Sequence, residues 1–131
     1  MLSITAQYAL RAVVYLAGCS DGTPVRAVEL AEAVEVPPNY MGKILNQLVR
    51  AGILRSVRGK KGGFESAGPA EDVTLYQVVS LFQDLGLEDK CLFGRLECSD
   101  QNPCPAHERW EKVAVQILEF FNTTTIADVV E

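Results

Sequence analysis

VPPNYMGKILNQLVRAGILRSVRGKKGGF, residues 36–64, reads in order as a rigid entry, a helix, its stop and the first part of a hairpin. Val36-Pro37-Pro38 is a stiff connection, and Pro38 suits the first position of a helix, where its missing N–H costs nothing. Met41, Ile44, Leu45 and Leu48 recur at helical spacing and form a stripe to be buried, and Ala51-Gly52 ends the run, Gly52 being a natural left-handed C-terminal residue. The other face carries Asn39, Tyr40, Lys43, Asn46, Gln47 and Arg50 and no acid. Residues 53–67, ILRSVRGKKGGFESA, then place β-formers on either side of a glycine-rich, doubly cationic tip, the pattern of a β-hairpin.

Upstream, Ile4, Tyr8, Ala12 and Leu16, with Ala9 and Val13 beside them, predict a first helix over residues 3–18. Ser20-Asp21-Gly22 stops it and Pro24 breaks any continuation. A second, short helix follows over 26–34, with Val28, Leu30, Ala31 and Val34 on its buried side. Helix, tight turn, helix, basic hairpin is the order of a winged helix-turn-helix.

Downstream, Thr74 with Gln77 three residues on is a capping box. It opens a fourth helix that buries Leu75, Val78, Val79, Phe82 and Leu85 and stops at Gly86. Residues 86–104 show no sustained period, a long connection for a compact chain and therefore one with a function or an external organiser. Pro105 opens a long helix to about Asn122. Its apolar positions, Ala106, Trp110, Val113, Ala114, Ile117, Leu118 and Phe121 with Val115 and Phe120 in addition, make a band wider than one small domain needs, which implies a partner subunit. Thr125 and Asp128 mark a last capped turn. The expected architecture is mainly α: a winged helix-turn-helix domain with a small β-hairpin wing over 1–85, a cysteine-bearing loop over 86–104, and a long C-terminal dimerisation helix and turn over 105–131.

The net charge of −5 conceals an uneven distribution. Residues 1–70 carry +3 and residues 71–131 carry −8, and between Lys43 and Lys61 six cations stand with no acid among them. Such a patch attracts a polyanion even on an acidic chain. Asn39, Tyr40 and Lys43 are the expected major-groove contacts with duplex DNA, and Arg58, Lys60 and Lys61 the expected wing contacts, Arg58 suiting a narrow minor groove. Solvated charges on an ordinary helical domain are the competing reading, and Tyr40 alone could equally be a core aromatic. The GKKGG tip lacks the spacing and the following helix of a phosphate-binding P-loop.

No apolar run approaches the roughly 20 residues of a membrane span. The N-terminus has no charge before Arg11, hence no basic region of a secretory signal, and the expected location is the cytoplasm. Thiols there stay reduced, so clustered cysteines point to metal or redox chemistry. Cys91, Cys98, Cys104 and His107 follow the pattern C-x6-C-x5-C-x2-H. Three thiolates and an imidazole suit zinc or an iron–sulfur cluster. The gaps are wider than the usual zinc knuckle. Zinc and iron–sulfur stay equally open on these grounds, with an unmetallated thiol/disulfide pair behind them. With Pro105 as the first helical residue, Cys104 would be the N-cap and His107 one turn inside. Cys19 reads as a small buried residue. With one histidine and no set of nucleophile, base and orienter in view, the chain is not expected to be an enzyme.

ITAQYALRAVVYLA, the block AVELAEAVEVPPNYMGKILNQLVRAGILRSVRGKKGGF, the spaced cysteines and the terminal NTTTIADVV together resemble the Rrf-two family of bacterial regulators, of the IscR and NsrR types, over almost the whole chain. The resemblance implies a homodimeric winged-helix transcription factor, crossed through the long helix, whose cysteine-bearing members hold an iron–sulfur cluster and sense cluster status, redox stress or nitric oxide. By that resemblance Cys91, Cys98 and Cys104 are cluster ligands. NsrR-like members add an acidic ligand just before Tyr-Ala-Leu-Arg, where this chain has Gln7; IscR-like members add a histidine at the position of His107. The match favours [2Fe-2S] over [4Fe-4S], held by Cys91, Cys98, Cys104 and His107.

Overall fold

The computed structural model describes every residue except Ser20 and residues 87–89. Helix α1 spans Ile4–Ala17. It is capped by Ser3, whose hydroxyl accepts the Ala6 N–H at 3.1 Å. Of the expected stop signal, Ser20 lies outside the described residues; the helix already ends at Gly18, whose N–H bonds the Val14 and Tyr15 carbonyls. Helices α2 (Ala27–Ala33) and α3 (Pro38–Arg50) follow, joined by a turn in which Glu35 takes a positive φ of 58°. Pro38 stands in the first turn of α3. At its far end Gly52 has φ 78° and the Ile53 N–H reaches back to the Leu48 carbonyl at 3.0 Å, the two-bond closure that a left-handed glycine permits.

Strands β1 (Leu54–Val57) and β2 (Gly63–Ser66) form the antiparallel hairpin in the register Leu54–Ser66, Arg55–Glu65, Ser56–Phe64 and Val57–Gly63. Val25 extends it by one residue, exchanging two backbone bonds of 2.9 and 2.8 Å with Phe64. The strand passes so close to the Val25 carbonyl that any Cβ on Gly63 would collide with it, and φ there is 148°. The wing is thereby anchored to the chain just before α2. The fold is mainly helical with this one small hairpin, a winged helix.

Helix α4 spans Leu75–Val79 and opens on the expected capping box of Thr74 and Gln77. It is shorter than the apolar pattern predicts. Beyond Val79 the chain continues in turns, with the Phe82 and Gln83 N–H groups on the Val79 carbonyl; the Gln83 amide oxygen accepts the Ser3 N–H at 2.7 Å, and Leu85 still reaches the core. Helix α5 spans His107–Thr123 and α6 spans Ile126–Val129, the latter capped by Thr125 and Asp128. The connection into α6 pairs with the chain before α4: the Leu75 N–H donates to the Thr124 carbonyl and the Ile126 N–H to the Val73 carbonyl, at 2.9 and 2.8 Å.

One core joins these elements. Ala6, Ala9, Ala12 and Leu16 of α1, Leu30 of α2, Met41, Ile44, Leu45 and Leu48 of α3, Leu54 of β1, Val78 and Val79 of α4, Phe121 of α5 and Ile126 of α6 are all buried in it. Each fully buried leucine among them contributes about 1.5–3 kcal/mol. Two expected core residues are outside. Val28 is 68% exposed, because a seven-residue helix presents only Leu30 and Ala31 inward, and Ile4 lies on the solvent side of the first turn of α1. Of the wide apolar band on α5, Ala114 and Phe121 are buried, whereas Val113, Val115 and Phe120 face outward. Among the described residues no helix is long and apolar enough to cross a membrane.

Candidate functional site

Residues 90–106 form neither helix nor strand; turns and side-chain bonds shape them. The turn after Cys91 closes with the Gly94 N–H on the Cys91 carbonyl at 2.9 Å. A second tight turn, Ser99 to Asn102, is closed by reciprocal backbone bonds of 3.1 and 3.3 Å and by the Ser99 hydroxyl accepting the Asn102 N–H. Two side chains of α5 bind this segment. The Trp110 Nε1–H donates to the Lys90 carbonyl at 2.9 Å, and His107 faces both Cys98 and Asp100.

The outcome is a convergence of the three cysteines, with His107 beside Cys98. The Sγ atoms of Cys91, Cys98 and Cys104 all lie within 4.8 Å of one another. Cys91 and Cys104 approach to 3.6 Å, and Cys98 Sγ stands 3.4 Å from His107 Nδ1. All four cysteines are free thiols. The cleft at this site, about 380 Å³, is lined by Lys90, Cys91, Cys98, Ser99, Asp100, His107 and Glu111. Cys104 is buried, Cys91 and Cys98 half-buried. Cys104 does not cap α5: the Pro105–Ala106 turn intervenes, the Cys104 carbonyl accepts the His107 N–H at 3.0 Å, and His107 is the first helical residue.

The thiols differ. The backbone N–H of Arg95, aimed at Cys91 by the turn, is the largest influence on that thiol and outweighs its burial; with help from the Phe93 N–H and the neighbouring sulfurs it brings Cys91 from the ordinary 9.0 down to about 7. Cys98 also receives a backbone N–H, from Cys104, which favours its thiolate, but burial and the sulfurs of Cys104 and Cys91 prevail and push it up. One proton is thus easily lost from the set and the next is harder to remove. Three mutually close soft sulfurs, with an imidazole nitrogen beside one of them, fit an iron–sulfur cluster or a zinc ion and do not fit calcium or magnesium.

Cys19 is half-buried rather than buried, its Sγ–H donating to the Tyr15 carbonyl at 3.3 Å. Burial and then the Asp21 charge raise its pKa, so it is not an activated thiol. Gln7 donates through Nε2 to the Leu2 carbonyl at 3.1 Å, an engagement within its own helix start.

Asn39, Tyr40, Lys43, Asn46, Gln47 and Arg50 are all exposed on α3, and Arg58, Lys60 and Lys61 are exposed at the hairpin tip. Tyr40 is no core aromatic; its ring meets that of Tyr8 with centroids 6.2 Å apart, and the Arg11 guanidinium covers Tyr8 at 5.7 Å. A shallow cleft joins Asn39, Tyr40, Lys43 and Gln47 to Thr5 at the start of α1. On the wing, the Arg26 guanidinium donates to the Lys60 carbonyl, and Arg55 and Glu65 pair across the strands at 3.0 Å. Thr5, Arg26, Asp100 and the Trp110 N–H were not marked by the sequence. Each acts through a contact far along the chain or inside an aperiodic loop, where spacing carries no signal.

A basic wing, an acid-free exposed helix and a three-thiol site on one core define a winged-helix transcriptional regulator rather than an enzyme. The comparisons with known proteins agree. The family model Rrf2, iron-dependent transcriptional regulator, matches residues 2–131, and the chain belongs to that family. An HTH-type transcriptional regulator of Aquifex aeolicus is 35% identical over 132 residues, covering 99% of this chain and 91% of the relative. The HTH-type transcriptional regulator IscR of Vibrio atlanticus is 26% identical over 130 residues, covering 99% and 75%. Among solved structures, CymR, the global cysteine regulator of B. subtilis, superposes with a TM-score of 0.83 at 18% identity, covering 99% of this chain and 95% of that one, a likeness of fold.

Proposed function

We propose that this regulator is a cytoplasmic homodimer that binds an operator in duplex DNA and carries a [2Fe-2S] cluster, through which it senses cluster status, redox stress or nitric oxide. The observation that carries this reading is the convergence of Cys91, Cys98 and Cys104 within 4.8 Å, with His107 Nδ1 at 3.4 Å from Cys98. The four donors offer two close pairs, Cys91 with Cys104 and Cys98 with His107, which suits two irons of two ligands each better than four irons of one each. The engagement of Gln7 with Leu2 leaves His107 as the better fourth ligand.

A bound cluster would supply a reversible oxidation state and a cross-link that oxidants can break. The chain's own residues provide the rest. Cys91, Cys98 and Cys104 tie the loop together, while His107 and Trp110 tie it to α5. Helix α5 packs on α4, which packs on α1, so the order of the loop bears on the body that carries the DNA face. Asn39, Tyr40 and Lys43 enter the major groove; Arg58, Lys60 and Lys61 hold phosphates or the minor groove. The exposed Val113 and Phe120, one helical side of α5, are the dimer face.

Anaerobic purification followed by a visible spectrum with iron and sulfide counts tests the cluster. Two irons and two sulfides per chain are expected, and Cys98→Ala is expected to lose the absorbance and change operator affinity. Zinc in stoichiometric amount without sulfide refutes the cluster. Arg58→Ala or Lys61→Ala is expected to weaken duplex binding and to lower its salt slope by about one; unchanged slopes would remove the wing from the interface. A second reading, a thiol/disulfide switch, is favoured by the 3.6 Å separation of Cys91 and Cys104 Sγ, and a Cys91–Cys104 disulfide in iron-free protein after mild oxidation would support it.

A further inference from the structure

The two ring nitrogens of His107 have different environments. Nδ1 stands 3.4 Å from Cys98 Sγ, one member of the thiol set. Nε2 stands 2.9 Å from Asp100 Oδ1, with Glu111 Oε2 farther off at 3.9 Å. The His107 side chain is 19% exposed and that of Asp100 84%, so a carboxylate based in solvent reaches in to a largely covered ring. Asp100 is carried there by the Ser99–Asn102 turn, between the second and third cysteines.

A neutral imidazole has one N–H and one lone pair. If Nε2–H is donated to the carboxylate, Nδ1 necessarily presents its lone pair, and it does so towards the thiols. A carboxylate on the far nitrogen also holds the ring plane and makes the near nitrogen a better donor.

We propose that Asp100 is a positioning residue for metal binding: it accepts Nε2–H of His107 and so fixes the ring and tautomer that direct Nδ1 into the site formed by Cys91, Cys98 and Cys104. The proposal rests on the reading of that set as a metal-binding site, and it concerns a residue outside the ligand set. Asp100, His107 and Glu111 also lie within 4.8 Å of one another through one donor atom each, so a second Co(II) held by those three is the rival outcome. The Ser99–Asn102 turn brings Asp100 to the Nε2 side of the ring, while Cys98 stands at Nδ1.

The test uses the full chain, reduced and metal-free, with Co(II) added stepwise under anaerobic conditions and its affinity read by competition with a chelator. Thiolate-to-cobalt absorption in the unmodified chain is expected with one Co(II) bound. Asp100→Ala should lower that affinity about 10- to 100-fold, and Asp100→Asn, which keeps an acceptor oxygen, should fall between. His107→Ala should lose more, and adding Asp100→Ala to it should cost nothing further, since Asp100 acts through the ring. Unmodified affinity in Asp100→Ala overturns the inference alone. So does an equal loss with and without His107, or a second Co(II) that disappears with Asp100. No thiolate-to-cobalt absorption even in the unmodified chain overturns the metal reading and this inference with it.

Discussion

At Cys91 the chemistry of the site is set by a backbone turn. The N–H of Arg95 stabilises the thiolate and brings the thiol from 9.0 to about 7, while Cys98 is held above its ordinary value by burial and by its sulfur neighbours. In metal-free, reduced protein near pH 7, iodoacetamide should therefore label Cys91 ahead of Cys98 and Cys19. A group whose pKa is depressed is charged above that value, so Cys91 labelling should fall steeply as pH drops below about 7. Peptide mapping of the alkylated chain reads this directly, and equal rates at Cys91 and Cys98 would contradict the turn's role. Proximity of the three cysteines was foreseeable from their clustering between 91 and 104. Which ring nitrogen faced the sulfurs was not, because it depends on where Asp100 is carried by a turn of four residues.

Among the elements, the wing shows how a backbone contact decides a surface feature. Gly63 lies against the Val25 carbonyl, and Phe64 exchanges two bonds with Val25. Gly63→Ala should push β2 off that segment, lower the unfolding midpoint and weaken DNA binding together. Urea unfolding and a duplex-binding assay check it, and a substitution that leaves both unchanged would show the contact to be slack. The sequence marked Gly63 only as part of a glycine-rich tip, since its partner Val25 is far away along the chain. Helix α4 carries the same lesson in reverse. Thr74 and Gln77 announced its start through a local capping box, but the chain beyond Val79 goes on in turns, and Gln83 there bonds Ser3, a contact that no local pattern encodes.

At the scale of the whole molecule, helix α5 carries exposed apolar residues beside its buried stripe. Val113, Val115 and Phe120 face outward, Phe120 at 52% exposure, although the helix already buries Ala114 and Phe121 in the core. A charged residue there leaves the core intact but is costly in an apolar interface. Val113→Asp or Phe120→Glu should therefore convert a dimer to a monomer with little change in monomer stability, and should reduce affinity for a two-half-site operator. Sedimentation velocity gives the mass; a monomeric unmodified chain would remove this face as the dimer contact. By contrast Leu45→Ala, at the centre of the core, is expected to cost about 2–5 kcal/mol.

What the sequence determined by itself is what short-range physics controls. The helical spacing of Met41, Ile44, Leu45 and Leu48, the glycine stop at Gly52, the capping pairs at Thr74 and Thr125 and the cationic hairpin tip each act within one or two turns of chain, and together they specified a winged helix. The exposure of Val28, the entry into α5 through a turn at Pro105 and the seating of Trp110 and His107 on the cysteine loop were decided by tertiary structure. These depend on groups brought together from distant positions, where burial and hydrogen-bond satisfaction outweigh the fraction of a kcal/mol that separates one local conformation from another.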